Sequence, residues 1–70
     1  MRQILLNQDE DGVWIAECPS LPGCFSDGPT REAAIANIRE AIELWIEDAT
    51  TNGETVPPNS SLQIEEINVA

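Results

Sequence analysis

Histidine and lysine are absent from the 70-residue chain, cysteine occurs twice, and three arginines stand against thirteen acidic residues. Each shortage excludes something. Without histidine, Cys18 and Cys24 make at most half of a four-ligand structural zinc site, so neither a metal nor another cofactor is expected. A formal net charge of −10 repels a phosphate backbone, which argues against direct nucleic-acid binding and favours a basic protein as partner. The same charge also serves the solubility of a small domain, so charge alone does not decide between the two. Long apolar runs are missing too: Ile4-Leu5-Leu6 after Met1-Arg2 is too short for a signal peptide or a membrane span. The expectation is therefore a cytoplasmic protein with both thiols reduced and packed as small core residues.

What is present suffices for one domain, residues 1–70. A chain of this length buries only about 60% of the surface its unfolded form exposes, and such domains add disulfides, metal or oligomerisation. With the first two weakened, a homo-oligomer is the expected supplement.

Arg2 to Gln8 reads as a strand, and Asp9-Glu10-Asp11-Gly12 ends in the Asp-Gly pair of a hairpin turn. Val13 to Cys18 reads as a second strand. Its positions are apolar on both parities until Glu17, which predicts a central strand covered on both faces. Pro19-Ser20-Leu21-Pro22-Gly23 re-aims the chain, Cys24-Phe25-Ser26 forms a short third strand, and Asp27-Gly28-Pro29 ends it.

Thr30 is placed to cap a helix from Arg31 to Asn52, with Gly53 as its stop. Ala34, Ile35, Ile38, Ala41, Ile42, Trp45, Ile46 and Ala49 fall within an arc of about 140°, the signature of a helix lying on a sheet. At roughly 33 Å this helix exceeds a seven-residue strand of roughly 23 Å, so its end, with Trp45, Ile46 and Ala49, should overhang. Leu44 projects roughly 120° from the centre of the apolar arc, beside Asn37, Glu40 and Asp48. Glu47 and Asp48 oppose the helix dipole, and Glu43 and Glu47 repel one another. Leu44, Trp45, Glu47, Asp48 and Glu43 are therefore the candidate partner-binding residues. The plain alternatives stay open: Trp14 and Trp45 as core residues, one stray exposed leucine, and a solvated acidic face. Beyond a stiff segment at 54–61, Leu62 to Val69 reads as a last strand whose apolar parity breaks at Glu65-Glu66, leaving open a bulge or a change of surface. Asn7 to Gly12 imitates the start of a calcium loop, but position twelve would be Cys18 in place of glutamate and the flanks are strands, so a hairpin turn is the better reading.

The run from Asp11-Gly12 through Trp14-Ile15-Ala16-Glu17-Cys18-Pro19-Ser20-Leu21-Pro22-Gly23-Cys24 to Asp27-Gly28-Pro29-Thr30, then Arg31-Glu32-Ala33-Ala34-Ile35 and Glu40-Ala41-Ile42-Glu43-Leu44-Trp45, resembles the HicB-like antitoxin family. Its most specific part is Pro-x-Leu-Pro-Gly-Cys, placed after a strand and shortly before a Thr-capped, Glu-Ala-rich helix; Leu21, Pro22, Gly23 and Cys24 are thus its structural motif. The resemblance implies an α+β fold of βββαβ order, a three-stranded antiparallel sheet with one long helix and a fourth strand, related to a truncated RNase H fold. It implies dimers or tetramers, and a function in binding and masking a small basic mRNA interferase of the HicA type. Many relatives carry a DNA-binding module after this domain; the chain stops at Ala70, so DNA binding is not expected to carry over. The alternative is a stand-alone oligomeric domain of the same fold with a non-toxin partner.

The fold likeness raises a nuclease reading, in which clustered carboxylates would hold two metal ions about 4 Å apart. The only carboxylates on the expected strands are Glu17, Glu65 and Glu66. The latter two are adjacent and face opposite ways, and no histidine or lysine assists, so no catalytic residue is assigned.

Overall fold

The computed structural model describes residues 2–58. Three strands, β1 (Leu5–Gln8), β2 (Trp14–Glu17) and β3 (Phe25–Gly28), precede one helix, α1 (Arg31–Thr51). The strands form an antiparallel sheet in the order β1-β2-β3, with the helix packed mainly over β3 and β2. The order β-β-β-α and the central place of β2 are those expected. The last strand, with its possible bulge at Glu65-Glu66, lies outside the described residues.

Each connection follows from local chemistry. The Asp9 carboxylate accepts from the backbone N–H groups of Asp11 and Val13, both at 2.9 Å, and Gly12 takes a φ of +86° that a side chain would resist. That uses the carboxylate for the hairpin itself. Thr30 caps the helix by accepting at Oγ1 from the Ala33 N–H, 3.1 Å away. At the other end Gly53 N–H reaches Thr50 O and Glu54 N–H reaches Ala49 O, the paired bonds that close a helix on a left-handed glycine.

Register divides the sheet into two faces. Leu6, Ala16 and Ser26 stand side by side, as do Trp14 and Gly28, and this set looks toward the helix. With Cys18, Leu21 and Cys24 from the β2–β3 connection, and Ala34 and Ile38 from the helix, Ala16 makes the buried cluster; Ile4, Leu6, Trp14, Ile42, Trp45 and Ile46 pack around it. No polar or charged residue is buried among the described residues.

Two expectations need correction. Coverage of β2 on both faces is not what the described residues show: Leu5, Ile15 and Phe25 lie on the face away from the helix, where Ile15 is 37% and Phe25 60% exposed. Among the described residues one helix covers one face, so the second apolar parity of β2 marks a surface that they leave open. The helix end is also better covered than its length suggests. Ala49 is buried, Trp45 and Ile46 pack against the core cluster, and so does Val56 from the segment after the helix.

The third strand runs through Asp27 and Gly28, two residues past its expected end, because these residues pair with Ile15 and Trp14 of β2, and the start of the helix lies directly against Gly28. A Cβ there would stand 2.6 Å from the Ala34 backbone nitrogen and 2.9 Å from the Ala33 carbonyl carbon. Backbone cannot swing aside as a side chain can. Gly28→Ala should therefore lower stability by about 1–3 kcal/mol, with a lower urea midpoint as the readout; an unchanged midpoint would contradict the close approach of the helix to β3.

Candidate partner-binding surface

Leu21-Pro22-Gly23-Cys24 is a tight turn in which every residue has a separate task. Cys24 N–H bonds to Leu21 O at 3.1 Å, with proline second and Gly23 third at a φ of +74°, the arrangement of a type II turn. Leu21 plugs the core at 1% exposure. Cys18 N–H bonds to Cys24 O at 2.9 Å, which closes the connection between β2 and β3. The remaining group, the Pro22 carbonyl, accepts from Trp45 Nε1–H at 3.0 Å. That bond clasps the turn to the far half of the helix.

Because of the clasp, the turn and the helix end share one surface. A shallow hollow of about 420 Å³ lies between them, lined by Gly23, Cys24, Phe25, Ala41, Leu44, Trp45 and Asp48. Phe25 and Leu44, the two most exposed large apolar side chains among the described residues at 60% and 59%, both line it. Phe25 also lines a second hollow, with Ile15, Ser26 and Asp27, so the apolar surface continues around the β3 edge onto the open face of the sheet.

The five helix candidates divide accordingly. Leu44, Trp45 and Asp48 come together here. Glu43 points to the other side of the helix, into a hollow shared with Arg2, Ile4, Ile38, Arg39 and Ile42. Glu47 is exposed and lines neither hollow. Charge is segregated in the same sense: Asp27 and Asp48 border the Phe25 surface, whereas Arg2 and Arg39 lie on the Glu43 side. The last turn of the helix contains no basic residue to offset Glu47 and Asp48.

Phe25 escaped the sequence reading, although a signal existed. Cys24 belongs to the buried motif, and adjacent strand positions face opposite ways, so a strand through both must turn Phe25 outward. Trp14 and Trp45 are both half-buried against the core, and Trp45 combines that with a side on the hollow. Among the described residues no three His, Cys, Asp or Glu side chains are grouped to hold a metal ion. Nor is any helix there long and apolar enough to cross a membrane.

Residues 3–69 match the family described as HicB-like antitoxin of bacterial toxin–antitoxin systems. A UPF0150 protein of Thermoplasma acidophilum is 39% identical over 61 residues, covering 87% of this chain and 88% of its own length. A UPF0150 protein of Synechocystis is 50% identical over 54 residues, 77% of this chain and 68% of its own. An uncharacterized 14.9 kDa protein of Haemophilus phage HP1 is 33% identical over 60 residues, 86% of this chain but only 44% of the phage protein. No solved structure matches.

Burial pushes the Cys24 thiol above its ordinary 9.0, the nearby Cys18 thiol adds to the rise, and Arg2 partly opposes it. A raised folded-state value means that this stabilisation is complete below the unfolded thiol's pKa and is lost as pH climbs through the folded one. The chain has no lysine or tyrosine to titrate in that alkaline window. The urea midpoint should accordingly fall above the ordinary thiol value, and fall less in Cys24→Ala; a flat profile in the unsubstituted protein would contradict the assignment.

Proposed function

We propose, because the chain belongs to the HicB-like antitoxin family, that it is an antitoxin that binds a small basic toxin of the HicA type and masks the toxin's RNA-binding surface without catalysis. The observation that carries this reading is the hollow between the turn and the helix. Phe25, Leu44 and Trp45 gather there beside Asp48, and no arginine lines the hollow. Exposed aromatic and leucine side chains with an acidic rim suit a basic protein whose charge would both steer and orient it. A net charge of −10 extends that attraction beyond contact distance. Leu44, Trp45 and Asp48 are the contact residues in this reading, together with Phe25; Glu47 contributes field, and Glu43 is left outside the contact.

Masking needs no chemistry from the antitoxin. Covering the cationic groups by which a ribonuclease holds RNA removes substrate binding, and therefore cleavage, by competition alone. Among the described residues no carboxylate cluster is grouped for metal-assisted hydrolysis, and the aspartates of the site act as charges. In keeping with the family, the reading includes the fourth strand of a truncated RNase H-like fold, a cytoplasmic setting with Cys18 and Cys24 reduced, and a dimer or tetramer that adds burial to a small core. A stand-alone domain with a non-toxin basic partner would use the same surface, and the neighbouring reading frame distinguishes the two.

Where a small basic frame with a central histidine adjoins this one, its expression should arrest growth and co-expression of this chain should restore it, while the pure chain leaves RNA intact in Mg²⁺. Undiminished toxicity on co-expression would end the antitoxin reading. Light scattering of the purified chain should return two or four times the chain mass; a monomer at high concentration would remove the oligomer from it.

A further inference from the structure

The backbone of β3 carries a feature that the side chains of the hollow do not explain. In an antiparallel ladder, residue pairs alternate between those that exchange hydrogen bonds and those whose backbone groups point away from one another. Cys18 and Cys24 mark the bonded phase, by the Cys18 N–H to Cys24 O bond at 2.9 Å. With Glu17 opposite Phe25, Ala16 opposite Ser26 and Ile15 opposite Asp27, Ser26 is bonded to β2 while Phe25 and Asp27 turn their backbone groups outward. The sheet ends at β3 among the described residues, and none of those residues pairs with these groups as a further strand. One is already taken: Asn37 Nδ2 on the helix donates to Asp27 O at 2.8 Å. Phe25 N–H, Phe25 C=O and Asp27 N–H remain directed away from the sheet.

Natural edges are commonly blunted by lysine, proline or a bulge. Here β3 carries no lysine, proline or bulge; its short length of four residues, Phe-Ser-Asp-Gly, and the charge of Asp27 are what limit its pairing, and the charge does so selectively. It is also where apolar surface is most exposed, with Phe25 on the edge, Ile15 beside it on the sheet and Leu44 across the hollow.

We infer that the β3 edge receives an extended, basic strand of the partner protein, which continues the sheet antiparallel or parallel to β3 and sets apolar side chains against Phe25 and Leu44. Such strand addition draws affinity from main-chain hydrogen bonds and selectivity from alternate side-chain positions. The charge at the edge selects the occupant. A second copy of this chain would bring a strand containing Asp27 against its own image and double a net charge of −10, whereas lysines and arginines of a basic strand would meet Asp27 and Asp48. Association of copies then belongs on another surface. The inference rests on the basic-partner reading above and adds the element that docks and the edge that receives it.

The full chain, isotopically labelled, is titrated with the peptide Lys-Val-Lys-Val-Lys-Val-Lys and with its Glu-for-Lys counterpart as control. Expected are salt-sensitive binding of the lysine peptide alone, shifts centred on Phe25, Ser26, Asp27 and Leu44, and new protection from hydrogen exchange at the Phe25 and Asp27 amides. Asp27→Pro, which removes an outward N–H and no ladder bond to β2, should weaken binding about tenfold, against about threefold for Asp27→Asn, which removes the charge alone. A melting curve establishes that both variants are folded; if Asp27→Pro is not, Phe25→Ala with the exchange readout replaces it. Absence of binding at about 1 mM peptide, shifts confined to the Arg2 and Arg39 side, or equal losses for the two Asp27 variants would each overturn strand addition. So would a mass that falls to the monomer in Asp27→Pro, since the edge would then belong to a second copy. Toxin neutralisation separates the two proposals. Neutralisation retained in full by Asp27→Pro sinks the edge and leaves the antitoxin standing, while peptide binding at the edge without neutralisation does the reverse.

Discussion

One helix covering one face of a three-stranded sheet is the constraint on which the rest of this structure depends. A sheet has two faces, and apolar side chains alternate between them along every strand. β2 is apolar on both parities, so whichever face the helix takes, the other is left with hydrophobic residues. The helix takes the side of Ala16, Cys18 and Cys24, small residues that let it approach closely, and it crosses Gly28 at a distance that excludes even a methyl group. Ile15 and Phe25 are left outside. The exposed apolar surface is thus a consequence of how the core is filled.

The clasp between Trp45 and Pro22 converts that surface into a site. A turn closed by Gly23 and plugged by Leu21 presents one free carbonyl toward the helix, and the indole N–H reaches it at 3.0 Å. Residues 23 positions apart in the chain are held as neighbours, and a half-buried tryptophan is fixed with one side on the core and one on the hollow. An amphipathic ring with its polar atom satisfied and much of its apolar area available is well suited to recognition, because little rotamer freedom remains to be lost on binding. Asp27 and Asp48 beside the hollows, with Arg2 and Arg39 on the Glu43 side of the helix, then give the surface a polarity that favours basic partners over copies of the same chain.

Much was legible from the residues alone. The Asp-Gly hairpin, the Thr30 cap, the Gly53 stop, the order of the four described elements and the outward place of Leu44 all follow from backbone preferences and helical period. These are local properties, decided by a residue and neighbours within about one turn. Membership of the family was legible for a related reason: the Leu-Pro-Gly-Cys turn needs particular residue types at consecutive positions, and such a requirement is written directly in the chain.

Other features were decided only when distant segments met. Apolarity on both parities of β2 is compatible with two covered faces or with one, and only the number of layers present selects between them. The end of β3 depends on Asp27 and Gly28 finding Ile15 and Trp14 on β2, and the cover at the helix end depends on the segment after it, from which Glu54 N–H bonds to Ala49 O and Val56 packs on the core. Glu43 and Leu44 are adjacent in sequence yet serve opposite sides of the helix, while Phe25 and Leu44 lie far apart in sequence and line one hollow. The sequence by itself determined the elements, the turn chemistry, the acidic charge and the family. The tertiary structure decided which apolar residues stay exposed and which acids stand beside them, because burial and proximity belong to pairs of segments that no local pattern specifies.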